Sequence, residues 1–87
     1  MYYIYILFSL KDKKFYIGYT ADLKIKLIEH KQGKVKSTRY RLPIKLLCYE
    51  VYGYKIEAMK REKFLKSSDG KKDLRRRLTV SLGSLNC

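Results

Sequence analysis

The opening stretch Tyr2-Tyr3-Ile4-Tyr5-Ile6-Leu7-Phe8 is apolar almost without interruption and rich in aromatic and β-branched residues. The charged tetrad Lys11-Asp12-Lys13-Lys14 follows, and Phe15-Tyr16-Ile17-Gly18-Tyr19 then resumes the pattern, which predicts a β-hairpin. Because the first run does not alternate, both faces of its strand must be covered, as at the centre of a sheet. Thr20 or Asp22 can cap the next segment, where Leu23, Leu27 and His30 recur at helical spacing until Gly33 stops the helix.

Lys34 to Leu42 reads as a basic loop: it lacks a helical stripe and ends at Pro43. Ile44 to Tyr52 is a third strand, broken by Gly53. Tyr54 to Ser67 is amphipathic, with Ile56, Ala58, Met59 and Leu65 on one side and Lys55, Lys60 and Lys66 largely on another. Ser67 to Gly70 is expected as a turn with a cap, and Lys71 to Leu78 as a short, very basic helix. Residues 79–87 carry little charge and two breakers, Gly83 and Asn86, so a fraying tail is expected there. No repeat or low-complexity tract interrupts the order ββαβαα. The economical arrangement is α+β, a three-stranded sheet flanked by helices.

At 87 residues the chain has room for one modest core, hence a single domain over 1–78. Hydrophobic residues make up 46% and charged residues 33%, too apolar for a disordered chain and too charged for a membrane protein. Met1 to Leu10 is half the length that spans a bilayer and lacks a basic leader and a cleavage site. Neither export nor membrane insertion is expected. Cys48 and Cys87 form no zinc spacing and no convincing disulfide framework, so both are expected as reduced thiols in cytoplasm. The decisive quantity is charge: 21 Lys and Arg against 8 Asp and Glu leave +13. A field of that sign selects a polyanionic partner.

Absences narrow the chemistry. There is no Gly-rich phosphate loop, no nucleophile elbow and only one His, so P-loop hydrolysis, serine-type acyl transfer and zinc hydrolysis lack their parts. Nine tyrosines remain. For Tyr2, Tyr49, Tyr52 and Tyr54 a half-buried strand role suffices. Tyr3, Tyr5 and Leu7 alternate onto one face of the first strand, while Tyr16 and Gly18 share a face of the second. Two phenols can therefore meet on one face, with open space expected over Gly18 for close approach of a substrate backbone. On the longest helix Glu62 follows Ala58 by four and precedes Leu65 by three, so it falls inside the apolar stripe. A salt bridge to Lys66 or Arg61 explains such a carboxylate, and so does a role as ligand to a hard divalent cation. Asp22, Lys26 and His30 share a stripe on the first helix; a snorkelling Lys and a boundary His account for it without function.

Tyr3-Ile4-Tyr5, then ten residues, then Tyr16-Ile17-Gly18 resembles the paired tripeptides of the GIY-YIG nuclease superfamily. The likeness extends through Tyr16 to Leu23, the His30-x-x-Gly33 helix end, Lys36-Ser37-Thr38-Arg39-Tyr40, and Ala58-Met59-Lys60-Arg61-Glu62-Lys63, as in small stand-alone bacterial members. It covers roughly residues 2 to 78. The resemblance implies an antiparallel three-stranded sheet flanked by helices and phosphodiester cleavage with one divalent metal, as in homing endonucleases and the bacterial excision-repair nuclease. It implies Glu62 as metal ligand, Tyr16 as the residue that deprotonates or orients the attacking water, Tyr5 as its neighbour around the phosphate, and His30 as an auxiliary residue. Two departures stand out. Tyr3 replaces the first Gly, which a strand tolerates, and Lys26 stands where the family has its catalytic arginine, four residues before the His. A lysine offers one hydrated point charge in place of a planar fork.

The expected activity is thus a Mg²⁺- or Mn²⁺-dependent endonuclease acting on nucleic acid, with DNA the expected substrate and repair the implied setting. The ion should be weakly held without substrate, and no small-molecule cofactor is expected. Lys34, Lys36, Arg39, Tyr40 and Arg41 of the loop, with Arg75, Arg76 and Arg77, are the expected phosphate contacts. Such contacts position a duplex without reading its sequence, whereas Lys11, Lys13 and Lys14 read as ordinary solvated surface. The rival expectation is a non-catalytic nucleic-acid-binding module, favoured by Lys26.

Overall fold

A computed structural model describes residues 1–85. Three strands, β1 (Tyr2–Ser9), β2 (Phe15–Thr20) and β3 (Ile44–Tyr52), form one antiparallel sheet in the order β2-β1-β3. The unbroken apolar run of β1 thus lies at the centre, with Ile4 through Ser9 all buried. Four helices follow the hairpin or the third strand: α1 (Leu23–Lys31), α2 (Lys55–Lys66), α3 (Ser68–Arg77) and α4 (Thr79–Leu85). The class is α+β, as the element order predicts.

Alternation along β1 splits the interior into two layers. Ile4, Ile6 and Phe8 point to one face with Phe15 and Ile17, and Ala58, Leu65 and Leu74 from α2 and α3 close that layer. Tyr5 and Leu7 point to the other face with Ile44, where Tyr16, Leu23, Leu27 and Leu42 pack against them. The first layer is aliphatic and aromatic core. The second contains the phenols of Tyr5 and Tyr16, with the His30 ring packed against both.

Local signals set the boundaries. Asp22 caps α1, its Oδ1 accepting from the Ile25 N–H at 3.1 Å. Gly33 then takes φ +74, a left-handed position that ends the helix at little cost. Ser67 caps α3 by accepting from the Gly70 N–H at 3.2 Å, so the expected turn over Ser67 to Gly70 is instead the cap and first turn of the helix. The loop after α1 is tied to the hairpin. Ser9 Oγ donates to the Arg41 carbonyl at 2.6 Å and accepts from the Lys11 and Asp12 N–H groups, while Arg41 Nε donates to Asp12 Oδ2 at 2.6 Å. Hydrogen bonding from Arg41 holds the Asp12 carboxyl below its ordinary value.

Three expectations are corrected. The segment expected to fray forms α4, with Leu78 and Leu82 packed on the first core layer; Asn86 and Cys87 lie outside the described residues. Ile56 and Met59 are 66% and 46% exposed, because α2 buries only the narrow line through Ala58 and Leu65. Tyr54 is 72% exposed and precedes α2, and so has no half-buried strand position. Tyr2 does pack as expected, its ring stacked on Tyr19 at 6.1 Å. No helix among the described residues is long and apolar enough to cross a membrane.

Candidate active site

Register places the site. Tyr5 pairs with Gly18 and Leu7 with Tyr16, so the two phenols are diagonal neighbours on one face, ring centroids 6.3 Å apart. The space over Gly18 is not open, contrary to expectation: the Tyr5 ring fills it, and a Cβ at Gly18 would collide with Tyr5 Cζ and Oη and approach Cε2 to 2.6 Å. Gly18 therefore admits a side chain of this protein rather than a substrate.

His30 completes the group from α1. Its ring packs edge-on to Tyr5 at 5.4 Å and to Tyr16 at 5.3 Å. It is fully buried, not at a boundary as expected. Nε2 lies 2.9 Å from Tyr5 Oη and Nδ1 lies 2.7 Å from Thr38 Oγ1, itself fully buried. Burial and then the Lys26 charge push the His30 pKa down, partly offset by Glu29, so the ring is neutral near pH 7. A neutral imidazole carries one N–H, and a hydroxyl at each end satisfies either tautomer. Burial, then Tyr16 and then Glu62, push the Tyr5 pKa up, so Tyr5 stays a protonated phenol.

Tyr16 is less enclosed, and its hydroxyl lies 3.3 Å from Ser37 Oγ on the loop. Of the two phenols it is the one open to an incoming molecule. Glu62 is 18% exposed at its side chain and pairs with Lys66 Nζ at 3.4 Å, while Arg61 turns to Glu50 at 2.9 Å instead. The salt bridge expected of a stripe carboxylate therefore exists, through Lys66. Glu62 also lies near enough to Tyr5 for its charge to be felt there. Lys26 pairs with Glu29 at 3.6 Å, and its charge reaches His30.

Among the described residues no three His, Cys, Asp or Glu gather as a metal cluster. A hard cation that keeps most of its shell as water needs few protein oxygens, and the Glu62 carboxylate, whose partner Lys66 is 56% exposed at its side chain, is the group that would supply one.

The expected nucleic-acid contacts divide into exposed and engaged groups. Lys34 and Lys36 are exposed, Lys36 beside the Ser37 that meets Tyr16, and Arg39 lies 5.4 Å over the exposed ring of Tyr40. Arg41 is occupied by Asp12 and by the carbonyls of Lys14 and Phe15, and its guanidinium lies 6.0 Å from the Tyr16 ring centroid. Arg77 pairs with Glu50 and Asp73 and Arg76 with Asp73, whereas Arg75 lies 5.1 Å over Phe15. Sequence reasoning missed Ser37, Thr38 and Glu29 as members of the site. The signal for Ser37 and Thr38 was their place in the Lys36-Ser37-Thr38-Arg39-Tyr40 stretch of the resemblance, which carried no role for either residue.

Residues 1–78 match the family model of the GIY-YIG catalytic domain, a nuclease family. UPF0213 proteins from Streptococcus pyogenes serotype M5 (strain Manfredo) and serotype M2 (strain MGAS10270) are each 51% identical over 65 residues, which covers 74% of this chain and 70% of the relative. The solution NMR structure of UPF0213 protein BH0048 from Bacillus halodurans superposes with a TM-score of 0.54 at 38% identity, covering 85% of this chain and 82% of that one.

Proposed function

The chain belongs to the GIY-YIG family, and from that premise we propose that it is a divalent-metal-dependent endonuclease that hydrolyses nucleic-acid phosphodiester bonds, with DNA as substrate and little sequence preference. The observation that carries the proposal is the packing of Tyr5, Tyr16 and His30 into one cluster within reach of the Glu62 charge.

In this reading Tyr16, open on the loop side, orients the attacking water through its hydroxyl. Tyr5 stays protonated and donates toward the phosphate or back to His30, which remains neutral and fixes the Tyr5 hydroxyl. Glu62 would hold the Mg²⁺ or Mn²⁺, and such an ion would supply Lewis-acid stabilisation of charge on the phosphate and leaving oxygen. Lys26 neutralises developing charge once substrate draws it from Glu29. The +13 chain brings the polyanion to the site through Lys34, Lys36 and Arg39, and Tyr40 offers a ring for stacking. The cytoplasm is its compartment in this reading.

Nicking of supercoiled plasmid tests the proposal: activity appears with Mg²⁺ or Mn²⁺, ceases with chelator and is lost in Glu62→Ala. Parent protein that binds DNA yet never nicks it under any divalent ion refutes it. One observation favours a second reading, a non-catalytic nucleic-acid-binding module: Lys26 is held by Glu29, where a freely presented cation would serve catalysis better. That reading predicts no turnover, even in Lys26→Arg.

A further inference from the structure

Beyond the phenol cluster, a cavity of about 360 Å³ opens between the β1–β2 hairpin and α3, lined by Asp12, Lys14, Phe15, Arg41, Lys71 and Arg75. We propose that it is a dedicated site for a second, non-scissile phosphate of the substrate strand. The identity of that strand rests on the nuclease reading; the phosphate site itself does not.

Four of the six lining residues are cations. The one acid offsets a single cation, since Asp12 is paired with Arg41 and also accepts from the Lys14 N–H at 2.9 Å. The neighbours Arg76 and Arg77 are held by Asp73 and Glu50. By contrast, no carboxylate of the described residues pairs with Lys14, Lys71 or Arg75. Three like charges around one concavity repel each other, and a tetrahedral dianion or a phosphodiester relieves that repulsion while accepting several hydrogen bonds. Lys14, expected to be plain solvated surface, is part of this wall.

The walls are held in place. Phe15 is nearly buried and gives an apolar floor, with the Arg75 guanidinium 5.1 Å over its ring. Arg41 is fixed by two hairpin carbonyls at 3.2 Å each. Arg41 is also the link to the cleavage site: the same guanidinium lines the cavity and lies 6.0 Å from the Tyr16 ring centroid. A strand whose reacting phosphate sits at Tyr16 passes Arg41 and lays a neighbouring phosphate in the cavity. Held at two points, it is fixed in direction across the site, which a field of scattered lysines does not achieve.

Inorganic phosphate is the first probe, followed by amide NMR. Saturable shifts centred on Lys14, Phe15 and Arg75, absent in Lys71→Ala/Arg75→Ala and retained in the equally charged control Lys55→Ala/Lys60→Ala, are expected. Diffuse, non-saturating shifts, or shifts that survive in the first double variant, overturn the site. DNA is the second probe. The Lys71→Ala/Arg75→Ala variant should lower the slope of log affinity against log salt by about one, a single phosphate's worth. An unchanged slope alongside intact phosphate binding in the parent means a small-anion site and overturns the substrate role. Lys71→Glu, which leaves the Arg75 contact with Phe15 in place, must reproduce both losses. Failure of the nuclease reading looks different: no cleavage by the parent, with the phosphate shifts still saturable.

Discussion

His30 is a buried base whose two nitrogens are both claimed, one by Tyr5 and one by Thr38. Its pKa is lowered in the fold, so below the ordinary value of 6.5 the unfolded chain binds a proton that the folded chain does not. Stability therefore falls as pH drops from 6.5 toward the folded value, and urea midpoints across that range should show it. In His30→Gln this limb should flatten. Thr38→Val leaves Nδ1 without its partner in a dry site and should cost about 1–3 kcal/mol by urea unfolding at pH 7. A cost near zero would mean that the hydroxyl is dispensable. At Lys26 the contrast is between a point charge and a fork. Lys26→Arg should raise the single-turnover cleavage rate about tenfold, because bidentate contact gives a stronger charge-assisted bond as charge builds. A slower variant would count against a role for Lys26 at the phosphate.

Among the elements, the meeting of β1 with β2 is the least forgiving. A methyl at Gly18 has to displace the Tyr5 ring, which is itself fixed by His30. Gly18→Ala should destabilise by about 1–3 kcal/mol, the usual cost of overpacking, and reduce cleavage along with it. Thermal melts and nicking rates on the same preparation check both. Gly70 serves the α2–α3 corner in the same way: a Cβ there meets the carbonyl of Phe64 and comes within 2.6 Å of Leu65 Cα, so α3 would have to lift from α2. At this scale much was legible. The unbroken apolar run marked β1 as central, Asp22 and Gly33 bounded α1, and Ala58, Glu62 and Leu65 lay on one line of α2. What stayed hidden depended on contacts between elements. Ring-over-glycine packing follows from the β1–β2 register, not from either strand alone. Ile56 and Met59 looked like core because the width of a buried stripe is set by what packs on it. The last helix has little propensity of its own and forms where Leu78 and Leu82 reach the core. Thr38 joined the site only through a loop that folds back on a histidine eight residues earlier.

For the molecule as a whole, +13 on 87 residues favours association with any polyanion and says nothing about hydrolysis. Binding and cleavage must be separated, and the layered fold allows it. The first layer, closed by α2 and α3, provides stability, while the second gathers phenols, imidazole and loop hydroxyls. Tyr16→Phe keeps the ring against His30 and removes one oxygen from the side facing Ser37. The most direct test is single-turnover plasmid nicking by the parent and Tyr16→Phe in Mg²⁺ and Mn²⁺, with DNA affinity measured on the same samples. An oxygen that orients the attacking water predicts equal binding and a loss of cleavage of about 100-fold or more. Cleavage by Tyr16→Phe at the parent rate would contradict the assignment of this cluster as the hydrolytic site.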